Sequence, residues 1–227
     1  MANRDTKTWL PYMVDWYKDY EFCSEPYRKL GKLKNELLTI LCSEAISQEY
    51  TLLPKLPNLN YRGCAIYNQN GDSKSWAFGI REDSPGRDLY LYGGYIKSVK
   101  NINKTSCNLN APITYEFLDS FFNLKKAIFS NLGKQEIHVH ADNPYQTGIR
   151  IIINLTNGDK TVFDVYGSKF TINPGEIFWV NTGVPHNLIN FGKEPRINIL
   201  LDIDFQSNLH AELDSIVLNL KSNNYLI

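Results

Sequence analysis

The sequence has no excess of either charge, no long apolar run and few cysteines or histidines, and each shortage narrows what the chain can be. Lysine plus arginine number 24, as do aspartate plus glutamate, so the formal net charge is zero. Such a chain has no overall field to steer it toward nucleic acid or an anionic membrane, and a partner of that kind would need a local patch. No stretch reaches the roughly 18 consecutive apolar residues that a membrane-spanning helix requires. The beginning, MANRDTKTWLPYMVDWYKDY, is charged and aromatic where an export signal would be basic and then apolar. The expectation is a soluble, unexported, cytoplasmic protein with neither nucleic-acid nor membrane partners. The four cysteines, Cys23, Cys42, Cys64 and Cys107, show no C-x-x-C spacing and no neighbouring histidine, which supports neither a zinc ribbon nor a disulfide framework. Reduced and mostly buried thiols are expected instead.

No internal repeat or low-complexity linker divides the chain, and 227 residues suit one domain with a sizeable core. Between residues 27 and 48, Leu30, Leu33, Leu37, Leu38, Ile40, Leu41 and Ile46 recur at steps of three and four among charges, which predicts an amphipathic helix. Residues 61–96 are rich in glycine, tyrosine and turn pairs, which predicts short strands and loops. The segment APITYEFLDSFFNLKKAIFSNLG, residues 111–133, starts with a proline and stops at a glycine. It reads as the clearest helix in the chain.

Beyond Gly133 the texture changes to short strands separated by turn pairs: EIHVHAD, GIRIIINL, KTVFDVYG, SKFTI, EIFWVN, HNLINF and RINILLDIDF. Strands at such even spacing predict a closed or two-sheet antiparallel architecture, a barrel or jelly roll. The fold class is therefore mainly β with flanking helices (α+β). Residues 1–132 are expected to support the barrel with helices and short strands, 133–206 to form its core, and 207–227 to add a helix, all in one domain.

In a strand, positions two apart share a face, so His138, His140 and Asp142 are expected to project to one side. A polar sheet edge would account for them without chemistry. The chain holds only four histidines, however, and a third, His186, opens a later strand. Two histidines and one carboxylate on adjacent strands make the facial triad that binds Fe(II) and leaves positions open, whereas structural zinc wants four closed ligands. Arg196 stands ten residues beyond His186 at the head of RINILLDI. It faces either into the barrel or out to solvent, where Glu194 could balance it. If both face inward on hairpin-paired strands, they lie roughly 7 or 13 Å apart along the barrel. A five-carbon keto diacid could bridge that gap, its far carboxylate meeting the guanidinium in a two-pronged bond.

HAD at 140–142, His186 within GEIFWVNTGVPHNLINFGKEPRINILLDI, and Arg196 together resemble the Fe(II)/2-oxoglutarate-dependent oxygenases. The nearest branch is that of the aspartyl/asparaginyl β-hydroxylases and bacterial cis-proline hydroxylases. The likeness covers residues 136–204 and is most specific over 175–202. It implies a double-stranded β-helix, the jelly-roll fold also used by cupins. It also implies iron held by His140, Asp142 and His186, with Arg196 on the distal carboxylate of 2-oxoglutarate. Arg150 falls where the family places an arginine that helps to hold the cosubstrate's other end. Ile152 stands where the β-hydroxylases often carry histidine, and Asp142 is present where the animal enzymes lack a carboxylate, so the complete triad of the proline hydroxylases is the nearer pattern. The implied activity consumes O2 and hydroxylates a small-molecule or peptidyl substrate, such as an amino acid.

A second resemblance stands beside it. HNLIN and its preceding turn fit the second cupin motif, with Asn181 in place of a proline, and His138 with His140 makes H-x-H. A cupin-type metalloprotein would use His138; it could be an isomerase, a dioxygenase needing no keto acid, or a module that only binds a metal or ligand. The first cupin motif wants a glutamate where Asn143, Pro144 and Tyr145 stand, and it expects no arginine ten residues after the later histidine. In the oxygenase reading His138 is a pocket wall or an outer neighbour of the metal, and Asn154, Trp76, Arg81 and Tyr92 are candidate substrate contacts. Loops at a barrel mouth usually determine what enters, which directs attention to residues 61–96 and 143–148.

Overall fold

A computed structural model describes residues 25–52, 60–68, 71–74, 105–140, 142, 149–156, 160–203 and 208–227. Trp76, Arg81, Tyr92 and Cys23, and the loop 143–148, lie outside the described residues. In chain order the elements are β1 (Tyr27–Lys32), α1 (Asn35–Ile46), β2 (Thr51–Leu52), β3 (Tyr61–Asn68), β4 (Thr105–Ser106), α2 (Pro112–Leu118), β5 (Leu124–Leu132) and β6 (Gln135–His140). They continue with β7 (Ile149–Asn154), β8 (Thr161–Val165), β9 (Ser168–Phe170), β10 (Glu176–Val180), β11 (His186–Asn190), β12 (Arg196–Ile203) and α3 (Leu209–Ser222). No helix among the described residues is long and apolar enough to cross a membrane.

The strands form two antiparallel sheets. The larger has the order β1-β10-β7-β12-β5-β3-β2 with β4 on β3, and the smaller has the order β6-β11-β8-β9. From β5 to β12 the chain changes sheet at every step except the β8–β9 hairpin, so β5, β12, β7 and β10 face β6, β11, β8 and β9. That interleaving is the double-stranded β-helix expected from the sequence. Its larger sheet is widened by β1 at one edge and by β3, β2 and β4 at the other.

Alternation within β12 explains how one sheet serves two environments. Ile197, Ile199, Leu201 and Ile203 point outward into the main core, where they meet Leu41 and Ala45 of α1, Phe117 and Leu118 of α2, and Leu213, Ile216 and Leu220 of α3. Arg196, Asn198, Leu200 and Asp202 point into the barrel. Around them Ile152, Phe163, Val165, Phe178 and Val180 form a separate inner cluster, with Leu188 and Leu200 at its border. The charged inner residues thus stand on an apolar lining, which strengthens every electrostatic interaction among them.

Two expected helices are corrected. Residues 27–32 form β1, paired with β10 through a register shift at Lys29/Gly31, and only Asn35–Ile46 is helical. Gly31 is tight against the C-terminus: a Cβ there would lie 2.8 Å from Leu226 Cδ1. Residues 111–133 split likewise, with α2 ending at Leu118, Asn123 adopting φ 56°, and β5 running from Leu124 to Leu132. The reason is a degeneracy of period. Leu124, Ile128 and Leu132 are spaced by four, and a step of four satisfies a strand's period of two as well as a helix's 3.6. The sheet decides, because β5 is bonded on both sides, to β12 and β3. Cys64 and Cys107 are buried free thiols and Cys42 is a half-buried one.

The N-terminus of α2, just before β5, has no cap of its own. Glu44 of α1 supplies one: Oε1 accepts from the Ile113 N–H (3.0 Å), and Oε2 accepts from the Thr114 N–H and hydroxyl (both 2.7 Å). Glu44→Ala should lower stability by about 0.5–2 kcal/mol, the range for losing a helix cap. Urea unfolding would show this as a lower midpoint at unchanged slope.

Candidate metal centre and cosubstrate pocket

His186 opens β11 directly opposite His140 at the end of β6. Their rings lie 4.3 Å apart between centroids, and His140 Nε2 is 4.0 Å from Asp142 Oδ1. The ligand atoms of His140, Asp142 and His186 all fall within 4.8 Å of one another. Both histidines are oriented in the same way. Nδ1 of His140 donates to the His138 carbonyl (2.8 Å), and Nδ1 of His186 donates to the Val184 carbonyl (2.9 Å). With the proton on Nδ1, each Nε2 keeps its lone pair for a metal, the usual way in which an outer hydrogen bond fixes a ligand's tautomer. Burial pushes His186 down to about 4, so its ring is neutral at physiological pH.

His138 does not share the side of His140. Leu188 pairs with Ile137 while His186 pairs with His140, so two residues of β6, His138 and Val139, oppose Asn187 alone. That extra residue is a β-bulge, which breaks the alternation and leaves the His138 side chain exposed. His138 contributes its backbone carbonyl, and its ring is not among the clustered ligands.

Asp142 is 6% exposed, and its N–H donates to the Thr182 carbonyl (2.8 Å). Burial by itself would raise its pKa; Arg150, both histidines and a side-chain bond to Thr182 outweigh that and hold the carboxyl below its ordinary value. Arg150 donates from Nη1 to Asp142 Oδ2 (2.5 Å), and from Nε and Nη2 to the two oxygens of Asp202 (2.7 and 2.9 Å). Three of the guanidinium's N–H groups therefore hold aspartates, and the arginine expected at the cosubstrate's metal-side end grips the metal carboxylate. Despite its burial, the two aspartates raise the pKa of Arg150.

His186 and Arg196 are not hairpin partners, contrary to expectation: β11 pairs with β6 and β8, and β12 pairs with β5 and β7. The chain crosses between sheets, so the two residues face each other across the barrel. Phe163 sets their spacing. The Arg196 guanidinium carbon lies 4.8 Å from the centre of its ring, and Phe163 is opposite Leu188, two residues along β11 from His186. Two residues of strand rise amount to roughly 7 Å.

Arg196 is fully buried, and Nε, Nη1 and Nη2 all lack a hydrogen-bond partner among the described residues. Burial pushes it down to about 9, against a small opposing effect of Tyr61, so it remains charged at neutral pH. Beside it, the phenol of Tyr61 accepts from the Ser130 hydroxyl (3.2 Å). Asn154 and Asn198, opposite one another on β7 and β12, each leave Oδ1 buried without a partner among the described residues, although Asn154 Nδ2 donates to the Ile172 carbonyl (2.7 Å). An isolated buried guanidinium is costly. A carboxylate from outside the chain would match it.

The structure thus gathers His140, Asp142, His186 and Arg150 at one end of the barrel, with Arg196 and Asn154 deeper inside. Asp202, Tyr61, Ser130, Asn198 and Lys126 also belong to this interior. Asn198 and Asp202 are readable as positions two and six residues after Arg196 on the same strand face. Tyr61, Ser130 and Lys126 are placed by cross-strand pairings that carry no local signal.

Residues 68–205 match the family described as aspartyl/asparaginyl β-hydroxylase, well over half of the chain. The chain belongs to this family. No curated protein matches the sequence. Among solved structures, the chain is similar to an oxidoreductase of the 2OG-Fe(II) oxygenase family from Burkholderia pseudomallei. That likeness has 12% identity and a TM-score of 0.44, over 86% of this chain and 94% of the other. It is also similar to SnoN, a non-haem α-ketoglutarate-dependent epimerase from nogalamycin biosynthesis, with 9% identity and a TM-score of 0.47, over 86% of this chain and 82% of the other. A cupin domain from Bordetella pertussis is similar over 35% of this chain and 81% of its own length, with 16% identity and a TM-score of 0.30.

Proposed function

We propose that this β-hydroxylase family member is an Fe(II)- and 2-oxoglutarate-dependent dioxygenase that hydroxylates a small polar substrate, an amino acid or a peptidyl residue. The observation that carries the reading is Arg196, a fully buried guanidinium with no hydrogen-bond partner among the described residues, set against Phe163, which lies opposite Leu188 two residues along β11 from His186. His140, Asp142 and His186 would hold the metal, and two histidine Nε2 atoms with one carboxylate suit Fe(II). Bound iron would supply the oxidation: substrate, O2 and 2-oxoglutarate give hydroxylated substrate, succinate and carbon dioxide.

The chain's own residues hold and orient. Arg196 receives the distal carboxylate of 2-oxoglutarate, and Tyr61, whose pKa burial raises further, borders the same pocket. Phe163, Leu188 and Leu200 exclude water around it. Arg150 keeps Asp142 ionised and fixed in direction. The test is formation of succinate from 2-oxoglutarate by the Fe(II)-loaded protein in air, over a panel of amino acids and peptides. His186→Ala should bind Fe(II) at least tenfold more weakly and form no succinate. A wild-type chain that binds Fe(II) yet neither binds nor consumes 2-oxoglutarate would overturn the proposal in favour of a metal-binding module on the same fold.

A further inference from the structure

Lys126 on β5 lies directly opposite Asp202 on β12, and Asp202 lies opposite Arg150 on β7. Opposed residues of neighbouring strands share a face, so three charged side chains form one row across the inner wall at the metal end. Their bonding is uneven. Asp202 gives both carboxylate oxygens to Arg150, and Arg150 reaches on to Asp142. The Lys126 ammonium has no hydrogen bond or ion pair among the described residues; at longer range it feels Asp202, Arg150 and Asp142. It is half-buried, and burial lowers its pKa. The next row into the barrel is Ile128, Leu200 and Ile152, which offers it no side-chain acceptor.

The formal charge of the loaded site points the same way. Among the described residues, Asp142 and Asp202 contribute two negative charges, and Arg150, Lys126 and Arg196 contribute three positive ones. Fe(II) and the 2-oxoglutarate dianion cancel each other, so the site remains one positive charge in excess. Arg196 has the distal carboxylate and Arg150 has two aspartates. The excess sits on Lys126.

We infer that Lys126 receives a carboxylate of the primary substrate, which makes that substrate an acid: a free amino acid, or a peptide bearing an acidic side chain. The inference rests on the proposed dioxygenase reading. A monoanion at Lys126 brings the loaded site to neutrality, and the lysine stem on β5 presents the acid group from the same wall as Arg150, on the other side of β12. Lysine suits a ligand whose angle of approach varies, because its ammonium is a flexible point charge.

The test uses the full chain loaded with Zn(II) and 2-oxoglutarate, which cannot turn over. Acids and their primary amides are offered in pairs: L-proline and L-prolinamide, L-aspartate and L-asparagine, and short blocked peptides carrying Asp or Asn. Thermal stabilisation is read against concentration. At least one acid should bind tenfold or more tightly than its amide, and whether a free amino acid or a blocked peptide shows this identifies the source of the carboxylate. The preference should shrink to less than threefold in Lys126→Met and in Lys126→Gln, and survive in Lys126→Arg. Amides that match their acids, acids that all fail to bind while 2-oxoglutarate binds, or a preference retained in Lys126→Met would each overturn the inference. A wild-type chain that ignores 2-oxoglutarate overturns the dioxygenase reading instead, and this inference with it.

Discussion

Arg196→Met should make the ligand-free protein more stable and at the same time blind it to 2-oxoglutarate. The two effects have one origin. A guanidinium with no hydrogen-bond partner among the described residues at any of its nitrogens is held in the barrel at the cost of its lost hydration. Methionine of similar length fills that space with apolar contact, and replacing buried ionic groups by apolar ones commonly gains about 1–4 kcal/mol. With cosubstrate present the sign reverses. Removing one partner of a buried charge pair costs about 2–5 kcal/mol, or roughly 30-fold to several thousand-fold in affinity at 1.4 kcal/mol per decade. In the Zn(II)-loaded wild type, 2-oxoglutarate at a hundred times its dissociation constant should add about 2.7 kcal/mol of stability. The same concentration should add less than about 0.9 kcal/mol to the variant. Urea unfolding with and without 2-oxoglutarate gives all four values. A variant less stable than wild type when ligand-free, and still stabilised by 2-oxoglutarate, would show that Arg196 is a structural cation.

The parts of this site that could be read from the sequence are those whose residue types are scarce or whose spacing is unambiguous. Two of the four histidines lie beside one aspartate, a third opens a later strand-like segment, and an arginine in an alternating aliphatic strand must face one of two ways. Those facts locate His140, Asp142, His186 and Arg196. What escaped did so for nameable reasons. The bulge in β6 is one extra residue with no turn-forming signature, so alternation put His138 on the wrong side. Lys126 was hidden inside a helix-like spacing that a strand satisfies equally well. The partnership of Arg150 with Asp202 depends on β7 pairing with β12, a contact across 52 residues that exists only once the sheet is assembled. Local pattern therefore reveals the ligands. Their support is set by topology.

That support gives the second large effect. Asp202→Ala should lower both global stability and metal affinity, although Asp202 is not itself one of the clustered ligands. Asp202 accepts two hydrogen bonds from Arg150, and the pair is well buried, with side chains 10% and 18% exposed. Removing one member of a buried pair typically costs about 3–5 kcal/mol, because the remaining charge is left short of partners. Arg150 would then depend on Asp142 alone, and a guanidinium drawn further onto the metal carboxylate competes with the ion for the same oxygens. Loss of an outer partner of this kind weakens metal binding by roughly 10- to 100-fold. The double variant Arg150→Met/Asp202→Leu separates the two consequences. Removing both charges should recover most of the lost stability, since no buried ion is then unmatched. Metal affinity should stay low, since Asp142 has lost the group that orients it. Urea unfolding of the metal-free proteins and competitive Zn(II) titration would measure the two quantities independently. If Asp202→Ala binds metal within twofold of wild type, Arg150 is not a positioning residue for Asp142, and their contact is only a part of the barrel's packing.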